Sequence, residues 1–182
     1  MSTSACPPRP PPPARWLWLC LALLMGAAGA ATAEHPDKGL LIEAGFISKF
    51  PAFISWPGEE APFRFCTLGP TPLAAPLASV LRHTRIRGAR PQLREVDPDT
   101  AADCHLLYIP PDRRAALPQI VERLAGRPVL TVGDSPGLAR QGVHINLYRK
   151  EGRIRFEVNP AALHRAGLRA SFRLLEMARV IE

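Results

Sequence analysis

The chain has 182 residues, 47% hydrophobic and 21% charged, which suits one folded domain and excludes a disordered polymer. Its net charge of +7 and its 21 prolines are unevenly spread: six prolines fall between Pro7 and Pro13, and residues 1–33 hold Arg9 and Arg15 but no acid. The totals therefore mix two unlike segments and describe neither a proline-rich polymer nor a uniformly basic protein.

In the first segment, Arg9 and Arg15 precede the apolar run Trp16 to Met25, and small residues lead to Ala31-Thr32-Ala33. A positive start, a short apolar run and an Ala-x-Ala ending predict a secretory signal peptide over 1–33, cut before Glu34. The strongly apolar part is about ten residues, short of the roughly 20 that a membrane span needs. Trp18 and Leu19 before Cys20 are too large for a lipid-modified cysteine. The expected mature chain is one domain over 34–182, with 21 basic residues, 18 of them Arg, and 16 acidic ones. Export, in a leader of bacterial type, points to the periplasm. Cys66 and Cys104 then remain, and an even pair in an oxidising compartment reads as a disulfide.

Residues 38–56 predict an amphipathic helix, with Ile42, Phe46, Phe50 and Phe53 at helical spacing. Pro51 predicts a break near Phe50, and Trp56-Pro57-Gly58 a stop. Phe63 to Leu68 predicts a strand, 73–83 a helix, and Gln92 to Val96 a strand. Cys104 to Ile109 is almost wholly apolar, as in a strand buried on both faces. Residues 113–124 predict a helix with Leu117, Ile120, Val121 and Leu124 inward, and Val129 to Val132 another buried strand. Val143 to Tyr148 and Ile154 to Val158 alternate around Gly152, which predicts a hairpin. A closing helix is predicted over 168–181, with Leu168, Phe172, Leu175 and Ala178 on one side. Strand–helix alternation followed by a hairpin predicts an α/β fold: a three-layer Rossmann-like sandwich with a mixed, mostly parallel sheet.

Catalytic signatures are weak. Gly133-Asp134-Ser135-Pro136-Gly137 matches G-x-S-x-G after a strand, but Pro136 has no N–H to give an oxyanion hole. His144 and His164 are the available bases. No G-x-G-x-x-G or P-loop is present, Asp112 stands alone at a strand end, and the five mature-chain histidines lack zinc spacing. No catalytic residue, metal or cofactor is expected. Arg82, Arg85, Arg87, Arg90 and Arg94 form a basic run without interleaved aromatics, which suits a solvated edge, an acidic partner or a membrane surface. Export argues against nucleic acid. Phe46, Phe50, Phe53 and Trp56, with Arg85, Arg87 and Arg90, are the candidate contact residues for a partner or ligand.

Several segments together resemble the YfiR family. They are Glu43 to Pro57 with its Phe-x-x-Trp-Pro ending, Phe65 to Gly69, Asp103 to Ile109, Val129 to Asp134, the hairpin from Gly142 to Asn159, and Ala162 to Ala178. The likeness runs from about residue 40 to the C-terminus. It implies a non-catalytic periplasmic repressor that engages the periplasmic region of an inner-membrane diguanylate cyclase and lowers cyclic di-GMP and biofilm formation. An outer-membrane lipoprotein and a second copy of the chain are further candidate partners. Cys66 and Cys104 fall where the family has a structural disulfide, whereas a second bridge found in some members has no counterpart here. Lys49, Pro51 and Ala52 depart from the usual helix. Two rivals stay open: a periplasmic small-ligand module with a pocket beside the Phe/Trp stripe, and a hydrolase using Ser135.

Overall fold

The computed structural model describes residues 37–58 and 62–181. The expected signal peptide, its cut and the domain's start at residue 34 lie outside them.

Asp37 opens helix α1 (Lys38–Lys49), its carboxylate accepting the Gly39 N–H at 2.8 Å. As Pro51 predicts, the α-helix ends there, and Phe50–Phe53 winds on as a 3-10 turn. The chain then forms a short strand β1 (Ile54–Ser55). The buried face of α1 is not the one expected. Ala44, Ile47 and Phe50 are buried beside Glu43 and Ser48, while Ile42 is 55% exposed. The helix is thus rotated so that Ala44 and Ile47 face the core and Ile42 faces outward.

Strand β2 (Arg64–Leu68), helix α2 (Ala74–Leu81), β3 (Gln92–Val96), β4 (Leu106–Ile109), α3 (Leu117–Arg123) and β5 (Leu130–Gly133) follow. β6 (Ile145–Lys150) and β7 (Arg153–Val158) make the expected hairpin. Among the described residues these strands and a last strand, β9 (Arg179–Val180), join one seven-stranded sheet in the order β3-β2-β4-β5-β6-β7-β9. It is parallel from β3 to β6, antiparallel at β6–β7 and parallel again at β7–β9. The α/β expectation with a mostly parallel sheet is met.

The C-terminal segment departs from the expected long helix. It forms α4 (Pro160–Arg165), β8 (Arg169–Ala170), α5 (Phe172–Met177) and β9 (Arg179–Val180). Local chemistry explains the division. The Asn159 side chain accepts the Ala162 N–H at 2.8 Å, with Pro160 at the helix start. Gly167 takes a left-handed φ of 71°. Ser171 Oγ accepts the Leu174 N–H at 3.3 Å and starts α5. β8 pairs with β1 in a separate two-stranded ribbon, and β9 adds to the edge of the main sheet. Phe172, expected inward, is 76% exposed. Residues Pro111–Ala116 are a 3-10 turn ahead of α3, whose winding differs from the assumed α-helix, and Val121 ends on the flank of α3.

The sheet separates two cores. The larger joins Ile47 of α1, Leu77 of α2, Leu163 of α4 and Leu174 of α5 to inward residues of the sheet. The smaller packs Leu117 and Ile120 of α3 against Cys66, Leu107 and Ile109. Two histidines fix the starts of neighbouring strands. His105, just before β4, accepts the Arg64 N–H at 3.0 Å through Nδ1. His144, just before β6, accepts the Thr131 N–H at 2.9 Å through Nδ1, and its own N–H donates to Thr131 Oγ1 at 3.0 Å. Burial holds the His144 imidazole neutral, with its pKa lowered to about 4.

Candidate functional site

Cys66 of β2 and Cys104 before β4 form a disulfide with Cα atoms 6.0 Å apart. Both are buried, at 1% and 4% exposure, within the smaller core, so the bridge is a structural staple.

The expected aromatic stripe divides between two places. Phe46 and Phe50 pack on Phe156 of β7, with ring centroids at 6.4 and 5.5 Å. Phe50 is buried, and Phe46 and Phe53 are half-buried against the core. Trp56 instead meets Phe63 edge-on at 5.1 Å, and Phe63 stacks on His105 at 4.8 Å. Arg87 lies 5.8 Å from the Trp56 ring centre, close enough for a cation–π contact. Arg87 also holds a left-handed φ of 52°, and with Arg85 and Arg90 it is exposed on the loop between α2 and β3. A groove of about 530 Å³ runs between this loop and the turn after α1, taking in Trp56, Arg85 and Arg87. The structure therefore brings Trp56 together with two of the three candidate arginines. It places Phe50 in the interior.

Around Ser135 no hydrolytic constellation forms among the described residues. His144 Nδ1 is committed to Thr131, and a backbone hydrogen bond with Ala162 engages the ring further. His164 is exposed on α4. Among the described residues no cluster of three or more His, Cys, Asp or Glu side chains is placed to hold a metal ion.

A second group of residues was not legible as a site. Alternation along the strands points Tyr108 of β4, Asp134 after β5 and Arg149 of β6 to the larger-core side of the sheet. Glu43 of α1 lies above them, and with Asp134, Leu147, Arg149 and Ile154 it lines a cleft of about 320 Å³. Glu43 is only 6% exposed. Burial, then the nearby Asp134 charge, raises its pKa to about 7, against an attraction from Arg149. Burial also raises Asp134, while hydrogen bonding with Tyr108 opposes the shift. The two carboxyls are coupled, each titrating in the other's field. Glu43 Oε1 and Asp134 Oδ1 are buried with no hydrogen-bond partner among the described residues. The sequence signal was Glu43 itself, four residues before buried Ile47 and hence on the core face of α1.

The cleft, the disulfide and the hairpin all lie within a recognisable family pattern. A protein-family model described as YfiR/HmsC-like matches residues 41–179. Among solved structures, a conserved domain protein from Vibrio cholerae O1 biovar eltor str. N16961 has a similar fold, with a TM-score of 0.52 at 11% identity. The match covers 79% of this chain and 60% of that one, so the chain spans less than two thirds of that protein. At that identity the likeness speaks for the fold alone. The family match takes in more than half of the sequence, from α1 to β9, and the chain therefore belongs to the YfiR/HmsC-like family.

Proposed function

We propose that this protein is a periplasmic regulator that binds and represses a membrane-bound diguanylate cyclase through the cyclase's periplasmic region. The observation that carries this reading is the YfiR/HmsC-like match over residues 41–179. The buried disulfide suits an oxidising compartment. The corner of Trp56, Arg85 and Arg87, with Arg90 nearby, offers an aromatic and arginine surface of the kind enriched at protein interfaces. Phe53 and Phe46, half-buried, border the same end of α1. Repression needs no chemistry: a body that binds one state of the cyclase better than another shifts its population. An outer-membrane lipoprotein that competes for the same surface would relieve repression, and a homodimer is compatible with either contact.

Deleting the gene is expected to raise cyclic di-GMP and biofilm mass, and unchanged cyclic di-GMP in cells that express the protein would refute the reading. Reversing Arg85, Arg87 and Arg90 to Glu is expected to weaken binding to the purified periplasmic region of the cyclase. Equal binding would move the contact elsewhere on the surface. A second reading, that of a ligand-responsive module, is favoured by the cleft at Glu43 and Asp134, and a bound ligand there would tune the same contact.

A further inference from the structure

We infer that the cleft between α1 and the ends of β5 and β6 binds a small primary ammonium carrying a short apolar tail. The assignment concerns the purified protein's own chemistry and stands whether or not the chain represses a cyclase.

The need for donors comes first. Glu43 Oε1 and Asp134 Oδ1 are buried acceptors without partners among the described residues. A buried carboxylate oxygen left unpaired is costly. Titratable groups reach Glu43 from three strands: Tyr108 from β4 faces both carboxyls, Asp134 follows β5, and Arg149 extends from β6. Asp112 acts on Tyr108 from farther along the same loop end. Arg149 attracts Glu43, yet among the described residues it makes no ion pair with either carboxyl. Its guanidinium sits instead over Gly39 at the start of α1, where an added Cβ would come within 2.6 Å of a terminal nitrogen.

The shape narrows the class of donor. An anion is excluded by two carboxyls as the orphaned groups. A hard divalent cation usually takes six or more oxygens, and no three-residue metal cluster forms among the described residues. An ammonium head presents three N–H donors on a compact point charge, which two or three converging acceptors satisfy. Leu147, Ile154 and Pro136 wall the rest of the cleft and suit a short alkyl chain. Arg149, at the rim, disfavours a second positive charge on the same ligand. The place in the fold is also apt: open α/β sheets take ligands beyond the carboxyl ends of their strands.

The test is isothermal titration calorimetry of the purified protein with n-butylammonium chloride, against n-butanol and matched potassium chloride. Saturable binding of butylammonium but not butanol is expected. Binding should be about tenfold tighter at pH 8 than at pH 5, because protonating the pair removes the charge that holds the head. Asp134→Asn and, separately, Glu43→Gln should each weaken binding about tenfold or more. Equal heats from butanol and butylammonium, or no saturable heat at either pH, would overturn the proposal and leave a cleft that holds water. Affinity unchanged in both variants would overturn it as well. The comparison of butanol with butylammonium uses the unaltered protein, so it decides the matter even if a variant fails to fold.

Discussion

The two faces of the sheet solve the same problem differently. The α1 face is broad: four helices cover it, and its core holds most of the large side chains, among them Phe50, Phe63 and Phe65. The α3 face is narrow, with one short helix, and there the chain adds a covalent bond and a reciprocal His144–Thr131 lock. Buried polar groups differ in kind between the faces. On the narrow face His144 is hydrogen-bonded and neutral, whereas on the broad face Glu43 and Asp134 keep unpaired oxygens. The narrow face has an orphaned atom of its own, Asn146 Oδ1, but among the described residues only the broad face sets two orphaned carboxyl oxygens beside a cleft, which is where function is expected.

The strongest way to break this comparison is to remove the staple. Cys66→Ala with Cys104→Ala should cost roughly 4 kcal/mol by the chain-entropy argument for this loop, lowering the urea midpoint accordingly. If oxidised and reduced protein unfold at the same midpoint, the narrow face does not depend on the bridge.

Next comes pH. His144 titrates at about 4 when folded and near 6.5 when unfolded. Its contribution is therefore complete above pH 6.5 and lost as the pH falls toward 4, by roughly 3 kcal/mol in all. His144→Gln should remove that loss, so the variant gains stability relative to the unaltered protein as the pH falls from 7 to 4 in urea melts. A stability difference that does not change with pH would assign the loss to other groups.

Glu43 runs the other way. Its folded pKa of about 7 lies above the usual 4.5, so the folded state keeps a proton that the unfolded state releases. Stability from this group is present below pH 4.5 and lost as the pH rises to about 7. Glu43→Gln should thus stabilise the protein at pH 8, on the order of 1–2 kcal/mol, and change little at pH 4. Between pH 4.5 and 6.5 the two slopes oppose each other, so the unaltered protein should show a flatter profile than either variant. A wild-type profile steeper than both would contradict the opposition.

The smallest expected effect is that of Gly39→Ala. Alanine favours the helix by up to about 1 kcal/mol, and the displaced Arg149 tip is free to move. With the guanidinium shifted, Glu43 should titrate higher still, read by NMR of its side-chain carboxyl carbon. An unchanged titration would show that Arg149 keeps its hold from another position.

Much of the framework was legible from residues. Buried strands β4 and β5 announced themselves as unbroken apolar runs, and Gly152 marked the hairpin turn. The C-terminus was misread because apolar spacing from Leu168 to Ala178 outweighed the punctuation at Asn159-Pro160, Gly167 and Ser171. The two caps and the left-handed glycine carry more local information there than the period does. The carboxyl cleft was out of reach for a different reason. Glu43 and Asp134 are far apart in the chain, and only the rotation of α1 that exposes Ile42 puts Glu43 over the sheet. Trp56 and Arg87 were each singled out, but their pairing depends on a left-handed residue that no pattern marked.

The bridge between Cys66 and Cys104 has a topological effect besides its energy. The ring it closes contains all of α2 and β3, and β3 is the outermost strand on its side of the sheet. Such a strand, half-exposed and with one row of backbone groups unpaired, is what proteins exchange with a neighbour or add to in a fibre. An open segment is lent by swinging about one hinge. The closed ring holds both ends of this segment at the central strands, so β3 can move only as part of a closed loop. That makes the staple a guard on the sheet's edge, set as soon as the sulfurs are oxidised.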